Sequence, residues 1–340
     1  MARARVAAGS LSTPALMRIA ITGGAGYVGA ALRRAVRERG DAWIGLTRRA
    51  PDSAEAGGEW VTGELADAAA LDRLVRDADA LVHAAAWVHR EAADPASRDA
   101  CFAVNLRGTE RLLEAVRRRG VRLRFVFVSS TAVYGDEFED RPEAGPFEPV
   151  GAYGESKLAA ERAVLTFAAA GAAPAVVIRP AMVYGPGAPG NIMRMASFVR
   201  RGFAPLVNGG RNRKSIVHAD DLALALLRAI DRATECSGAI FNAAGDPAPT
   251  MREVGDALAS GLKRRTRWVP VPDAIWNAGI ALGHWRSRST GGRAPDFGRT
   301  MEIYASSTTV TCSAIRDRLG ASFRDAREGL ASSVHVGNAR

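Results

Sequence analysis

Eight residues, TGGAGYVG from Thr22 to Gly29, leave this chain few folds to choose from. They follow the β-branched run RIAIT and open a helical pattern from Tyr27 to Arg39, with Gly23, Gly26 and Gly29 at three-residue intervals. Glycines so placed permit a tight turn, let backbone N–H groups approach a pyrophosphate, and let a helix pack closely on a strand. A glycine pattern alone can be a structural turn. Here it ends a strand and begins a βαβ unit, the context that dinucleotide binding requires.

Downstream, short apolar runs alternate with helical patterns: AWIGLT, a helix near Ala68 to Arg76, ALVHAAA, a helix from Cys101 to Arg119 ended by Gly120, and the run Arg124 to Val128. Alternation of this kind implies parallel pairing with right-handed crossovers. The expected fold class is therefore α/β, a doubly wound parallel sheet with helices on both faces. A helix follows Tyr153 to about Ala170, AVVIRP gives another strand closed by Pro180, and helical Asp220 to Ile230 leads to AIFNAA, a strand returning to the sheet. Proline and glycine cluster at Pro180–Gly190 and Pro270–Pro272, marking a smaller, loop-rich region interleaved with the first. The division expected is 17–180 with 216–245 for dinucleotide binding, and 181–215 with 246–332 for substrate. Residues 1–16 are expected to be a disordered extension.

The formal charge of +10 comes from 46 basic residues, of which only Lys157, Lys214 and Lys263 are lysines. The arginines are scattered along helices, which argues against nucleic acid and leaves an anionic small substrate open. Cys101, Cys236 and Cys312 are widely spaced and lack metal-ligand company, a pattern of a reducing, cytoplasmic compartment with no metal site. The longest apolar candidate, Val269 to Leu282, is interrupted and short of a bilayer span, so no membrane is expected.

At the carboxyl end of the Arg124–Val128 strand come Ser129, Ser130 and Thr131, hydroxyls expected to face the cofactor crevice. Farther on, YGESK places Tyr153 and Lys157 four apart on one helix face. A phenol of pKa about 10 is a poor base at neutral pH, and a nearby ammonium favours its phenolate. Tyr153 is thus expected to take a proton from a substrate hydroxyl while hydride leaves the same carbon for a nicotinamide, with Ser130 hydrogen-bonding the developing carbonyl. At the end of AWIGLT, where an NAD-binding unit presents an acid to the ribose 2′-hydroxyl, stand Thr47, Arg48 and Arg49; Arg48 leans the choice between NAD and NADP towards NADP.

With these motifs, and with GELAD (Gly63–Asp67), HAAA (His83–Ala86), VNLRGT (Val104–Thr109), SSTAVYG (Ser129–Gly135) and IRPAMVYGPG (Ile178–Gly187), the chain resembles the extended short-chain dehydrogenase/reductases of the NAD-dependent epimerase/dehydratase group, from Met17 to about Leu330. The resemblance implies a Rossmann sheet, a catalytic set of Ser130, Tyr153 and Lys157, and a cofactor site of Gly23, Gly26, Tyr27, Val28, Gly29, Thr47, Arg48, Glu64, Leu65, Ala84, Ala85, Asn105 and Pro180 besides the catalytic pair. It makes Thr131, Asn191 and the Arg213/Lys214 pair substrate-site candidates, the basic pair for a nucleotide diphosphate with Asp221 seven residues after Lys214, and it implies a homodimer. Members that dehydrate sugars carry Asp and Glu after the catalytic hydroxyl; Thr131 and Ala132 here argue against a dehydratase. The activity implied is 4-epimerisation of a UDP-hexose through a 4-keto intermediate. The alternatives are NADPH-dependent reduction of a nucleotide 4-keto sugar, a steroid or small-alcohol dehydrogenase, and a non-catalytic regulator, the last opposed by retention of both Tyr153 and Lys157.

Overall fold

The computed structural model describes residues 16–49, 56–88, 95–120, 123–290 and 296–334; the expected extension lies outside them apart from Leu16. The first half runs β1 (Arg18–Thr22), α1 (Tyr27–Glu38), β2 (Ala42–Thr47), β3 (Gly58–Thr62), α2 (Ala68–Val75), β4 (Ala80–His83), α3 (Pro95–Phe102), α4 (Gly108–Arg119), β5 (Arg124–Val128), β6 (Phe138–Arg141) and α5 (Gly151–Ala169). Then come β7 (Ala175–Pro180), β8 (Met182–Tyr184), α6 (Asn191–Arg200), β9 (Phe203–Leu206), β10 (Ile216–His218), α7 (Ala219–Asp231) and β11 (Ile240–Ala243). The chain continues through α8 (Met251–Gly261), β12 (Arg267–Pro270), α9 (Asp273–Ser289), α10 (Phe297–Ala305), β13 (Thr308–Val310), α11 (Ser313–Leu319) and α12 (Ala326–Ser333).

Seven strands form one parallel sheet in the order β3-β2-β1-β4-β5-β7-β11. The order reverses between β1 and β4, which opens a crevice at their carboxyl ends. The period-2 geometry of a strand sorts the apolar residues into two layers. Ile19, Ile21, Val126 and Ile178 face α1, α7 and α11 through Leu32, Val36, Leu222, Leu226 and Ile315. Ala20, Phe125, Phe127 and Val177 face α2, α4 and α5 through Leu71, Leu112, Val116 and Val164. Both faces are thus covered, and the strands read as continuous apolar runs.

A third cluster joins Ile192, Met195 and Val199 of α6 to Val254 and Leu258 of α8 and Leu330 of α12, forming the smaller lobe. Short parallel pairs, β8 with β10, β9 with β12 and β6 with β13, link segments distant in sequence. The clusters depart from the expected division at two places. Residues 216–218 pair with β8 rather than with the main sheet. Val310, Cys312, Ile315 and Leu319, expected in the substrate region, belong to the core on the α1 and α7 face. The expected continuous helix from Cys101 to Arg119 is broken: a π-helical turn, Ala103–Arg107, separates α3 from α4. Among the described residues no helix is long and apolar enough to cross a membrane.

Candidate active site

The glycine loop is held shut by its own backbone. Gly26 N–H donates to the Gly23 carbonyl at 2.9 Å. A Cβ on Gly29 would lie 2.2 Å from that same oxygen, and one on Gly23, where φ is +70°, would lie 2.6 Å from the Ala85 nitrogen and 2.7 Å from the Ala84 carbonyl carbon. The loop therefore rests directly on the exit of β4, where Ala84 and Ala85 sit. Gly26 is the N-cap of α1, without a side-chain cap, and no acid occupies the first turn, so the N–H groups around Val28 and Gly29 present an electropositive helix end to the crevice. This arrangement fits a dinucleotide pyrophosphate. Tyr27 turns its phenol towards the smaller lobe, where a Cβ on Gly185 would come within 2.5 Å of it. Burial, then Asp220, pushes that phenol up to about 12, so it stays neutral.

At the end of β2 the Thr47 hydroxyl donates to the Arg49 carbonyl at 2.8 Å, a tight turn that leaves Arg48 exposed. Glu64 is exposed after β3, and Leu65 packs against Gly108, where a Cβ would lie 2.8 Å from Leu65 Cδ1. Pro180 ends β7, buried beside β11.

His83 closes β4 from inside. Its Nδ1 pairs with the Thr22 hydroxyl at 2.5 Å and its Nε2 with the Thr109 hydroxyl at 2.9 Å. Burial, then the charge of Lys157, depresses it to about 3, so it is a neutral spacer. Asn105 is committed to the protein's own groups. Expected at the cofactor, its amide instead holds the Trp87 N–H (2.7 Å), the Trp87 carbonyl (3.1 Å) and the Ser156 hydroxyl (2.9 Å), and it is buried. Ser156 in turn donates to the Tyr153 carbonyl at 2.9 Å. Asn105, carried by the π-helical turn, thus positions the helix that bears Tyr153.

The strand-end hydroxyls diverge. Ser129 is buried and donates to Glu161, not into the crevice. Ser130 caps the 3₁₀ turn Thr131–Tyr134, its oxygen accepting the Ala132 N–H at 3.1 Å. Because that bond uses oxygen as acceptor, the hydroxyl proton is left to donate elsewhere. Helix α5 reaches this turn through a glycine: a Cβ on Gly154 would lie 2.6 Å from the Ala132 carbonyl oxygen. That approach brings neighbouring Tyr153, half-buried in the first turn of α5, beside the Ser130 turn.

One helical turn on, Lys157 is fully buried, donates to the Val128 carbonyl at 2.5 Å, and lies 4.3 Å from the centre of the Phe127 ring. Burial pushes its ammonium down to about 7, against the upward pull of Glu161. Glu161, which the motif reading passed over, sits a further turn along α5 in a buried pair with Arg179, at 2.9 and 2.5 Å. Arg179 also donates to the Tyr134 phenol (2.7 Å) and the Glu143 carbonyl (2.8 Å). The signal was in the sequence: an arginine inside the apolar strand AVVIRP demands a buried acid.

On the substrate side the diphosphate expectation for Lys214 is corrected. Its ammonium is buried and donates to the Ile303 carbonyl (2.6 Å) and the Ser306 hydroxyl (3.2 Å), closing the end of α10. Arg213 donates through Nε and Nη2 to the Ala248 carbonyl, at 3.1 and 3.0 Å. Asp221 is paired with Arg324. Asn191 opens α6, and its side chain lies outside the described residues. Thr131, half-buried, is the substrate candidate adjoining Ser130. His218 caps α7 through Asp220 N–H, a structural role.

A model of the NAD dependent epimerase/dehydratase family matches residues 19–244, which carry the glycine loop, the Ser130 turn and both members of the Tyr153/Lys157 pair. The chain belongs to that family. It is 31% identical over 265 residues to a 2-alkyl-3-oxoalkanoate reductase of Stenotrophomonas maltophilia, covering 72% of this chain and 76% of the relative. It is 34% identical over 232 residues to a dTDP-glucose 4,6-dehydratase of Mycobacterium tuberculosis, covering 64% and 69%. Among solved structures, MoeE5 in complex with UDP-glucose and NAD superposes with a TM-score of 0.72 at 25% identity, over 93% of this chain and 97% of that one. As an extended short-chain dehydrogenase/reductase, the protein is an enzyme whose nicotinamide cofactor, when bound, supplies the carbon that takes or gives hydride.

Proposed function

We propose that the enzyme is a nucleotide-sugar 4-epimerase: it oxidises C4 of a UDP-hexose, lets the 4-keto sugar turn over, and returns hydride to the opposite face. Its own residues handle the proton. Tyr153 exchanges one with the substrate oxygen, Ser130 donates a hydrogen bond to that oxygen, and Lys157, one helical turn along α5, lends positive charge in its protonated form. The observation that carries the reading is the Ser130 turn, which joins these groups to Thr131 and Ala132. Neither residue offers a carboxylic acid or a carboxylate, so the turn serves reversible oxidation without elimination of water. The likeness to MoeE5 bound to UDP-glucose and NAD, across both lobes, supports a nucleotide-linked sugar. With Lys214 committed to α10, diphosphate recognition falls to arginine, whose guanidinium suits it. In this reading the enzyme works as a homodimer in the cytoplasm.

A second reading, NADPH-dependent reduction of a nucleotide 4-keto sugar, is favoured by exposed Arg48 at the end of β2, where an acid would repel a 2′-phosphate. The test is to incubate the purified protein with UDP-glucose, UDP-galactose or a UDP-4-keto-hexose, with NAD or NADPH, and follow epimers by proton NMR and the nicotinamide by its absorbance. Interconversion without net nicotinamide turnover is expected; NADPH consumption seen solely with a 4-keto sugar would assign the second reading instead.

A further inference from the structure

Helix α9 exposes large apolar side chains on the face turned away from α10. It packs on α10 closely at two glycines, where a Cβ on Gly283 would lie 2.3 Å from the Gly298 nitrogen and one on Gly279 would lie 2.7 Å from Met301 Cε, and through Trp276, whose ring centre is 5.7 Å from that of Tyr304. Its polar inner residue His284 is held between Asp296 (3.0 Å) and Glu302 (3.1 Å) of the α10 side. Three of its large apolar side chains point outward, whereas Trp276 and Ile280 are half-buried. Ile275, Leu282 and Trp285 are 64%, 63% and 65% exposed, and with exposed Ala278 they recur at i, i+3, i+7 and i+10, a single stripe along the helix. At 100° per residue, Arg286 and Arg288 fall on opposite edges of that stripe, and both are exposed. The segment feeding α9 adds exposed Arg264, Arg265 and Arg267, while Asp273 in the first turn is the single acid on the helix.

We infer that α9 docks flat on an anionic lipid bilayer, with Ile275, Leu282 and Trp285 in the interfacial layer and the arginines on the headgroups. An apolar stripe ending in tryptophan and rimmed by arginine is the chemistry of a helix lying in the interface plane. Contiguous apolar exposure of this kind calls for a partner. A second copy fits less well, because stripe-to-stripe pairing would bring arginine edges together with no acid on the outer face of the helix to meet them. Docking of this kind requires no spanning segment, consistent with the helices described.

The test is flotation of the full chain with extruded vesicles of phosphatidylcholine alone and of phosphatidylcholine and phosphatidylglycerol in equal parts, at about 0.1 M salt. The chain is expected to float with the anionic vesicles, and the bound fraction to fall about tenfold in Ile275→Ser/Leu282→Ser/Trp285→Ser and again in Arg286→Glu/Arg288→Glu. The second variant changes surface charge alone, so it decides the matter should the first fail to fold. Absence of the folded wild type from the anionic vesicle fraction, or flotation indifferent to the charge variant, overturns the proposal. So does a wild-type oligomer that the stripe variant converts to monomer in sedimentation velocity, which would give the face to a second copy.

Discussion

Burial makes a charge on Lys157 costly, and this should be visible in the stability of the cofactor-free protein. A lysine in the unfolded chain titrates near 10.4, whereas burial brings Lys157 down to about 7. Between those values the unfolded chain holds a proton that the folded chain lacks, so this residue makes stability rise with pH across that window. The slope is at most about 1.4 kcal/mol per pH unit for one proton. Thermal melts from about pH 7 to about pH 9.5 on wild type and Lys157→Met are expected to show the wild type gaining on the variant as pH rises. A difference that is flat with pH would mean that Lys157 stays charged in the fold. Tyr153 is tested by chemistry rather than stability. Tyr153→Phe removes the proton-transfer group and keeps the ring, so kcat should drop by about 10² to 10⁴ while the dinucleotide Kd, measured by calorimetry, stays within about twofold.

At the scale of elements, the decisive contact is between α5 and the 3₁₀ turn after β5. Gly154 leaves no room for a methyl group, since its Cβ would stand 2.6 Å from the Ala132 carbonyl oxygen and 3.1 Å from Pro149 Cβ. Gly154→Ala should push helix and turn apart, lowering kcat by about 10- to 100-fold because sub-ångström placement of Tyr153 against Ser130 is lost. Melting should show an overpacking cost of about 1–3 kcal/mol. Steady-state kinetics beside melting separates the two effects, and an unaltered kcat would mean that the approach of α5 does not set the site. The βαβ order and the glycine loop were legible because period-2 and period-3.6 patterns alternate cleanly there. β3 was not: in GEWVT just Val61 is buried, and the strand is specified by Trp60 filling the space over Gly24 and Gly45. The π-helical turn was hidden because the apolar pattern runs on through it. Lys214 shows the remaining limit: spacing places a cation in a segment but does not say whether its ammonium faces a ligand or the end of α10.

For the whole molecule, the segment from β13 to α12 works as a strap across both lobes. It pairs with β6, sends Val310, Ile315 and Leu319 into the main core, and then gives Ala326 and Leu330 to the smaller one. Its crossing point is Arg324, whose backbone N–H and guanidinium reach buried Asp221 on α7 at 2.9 Å and at 2.7–3.0 Å. Beyond the crossing, Arg327 pairs with Glu253 of α8 at 2.5 Å, and Gly329 lies against the Tyr184 phenol with no space for a Cβ. A substitution at Gly329 would therefore confound loosening with overpacking, which makes the Asp221–Arg324 pair the cleaner lever. Arg324→Ala leaves the buried Asp221 carboxylate with the backbone N–H alone, which should cost about 1–3 kcal/mol of stability. Asp221→Asn in the Arg324→Ala background should cost less than it does in the wild type, because the charge it neutralises has already lost its partner. A urea-unfolding double-mutant cycle on the four proteins reads that coupling. Additive losses would show that the strap is held by its apolar residues and that the Asp221–Arg324 pair contributes nothing to joining the lobes.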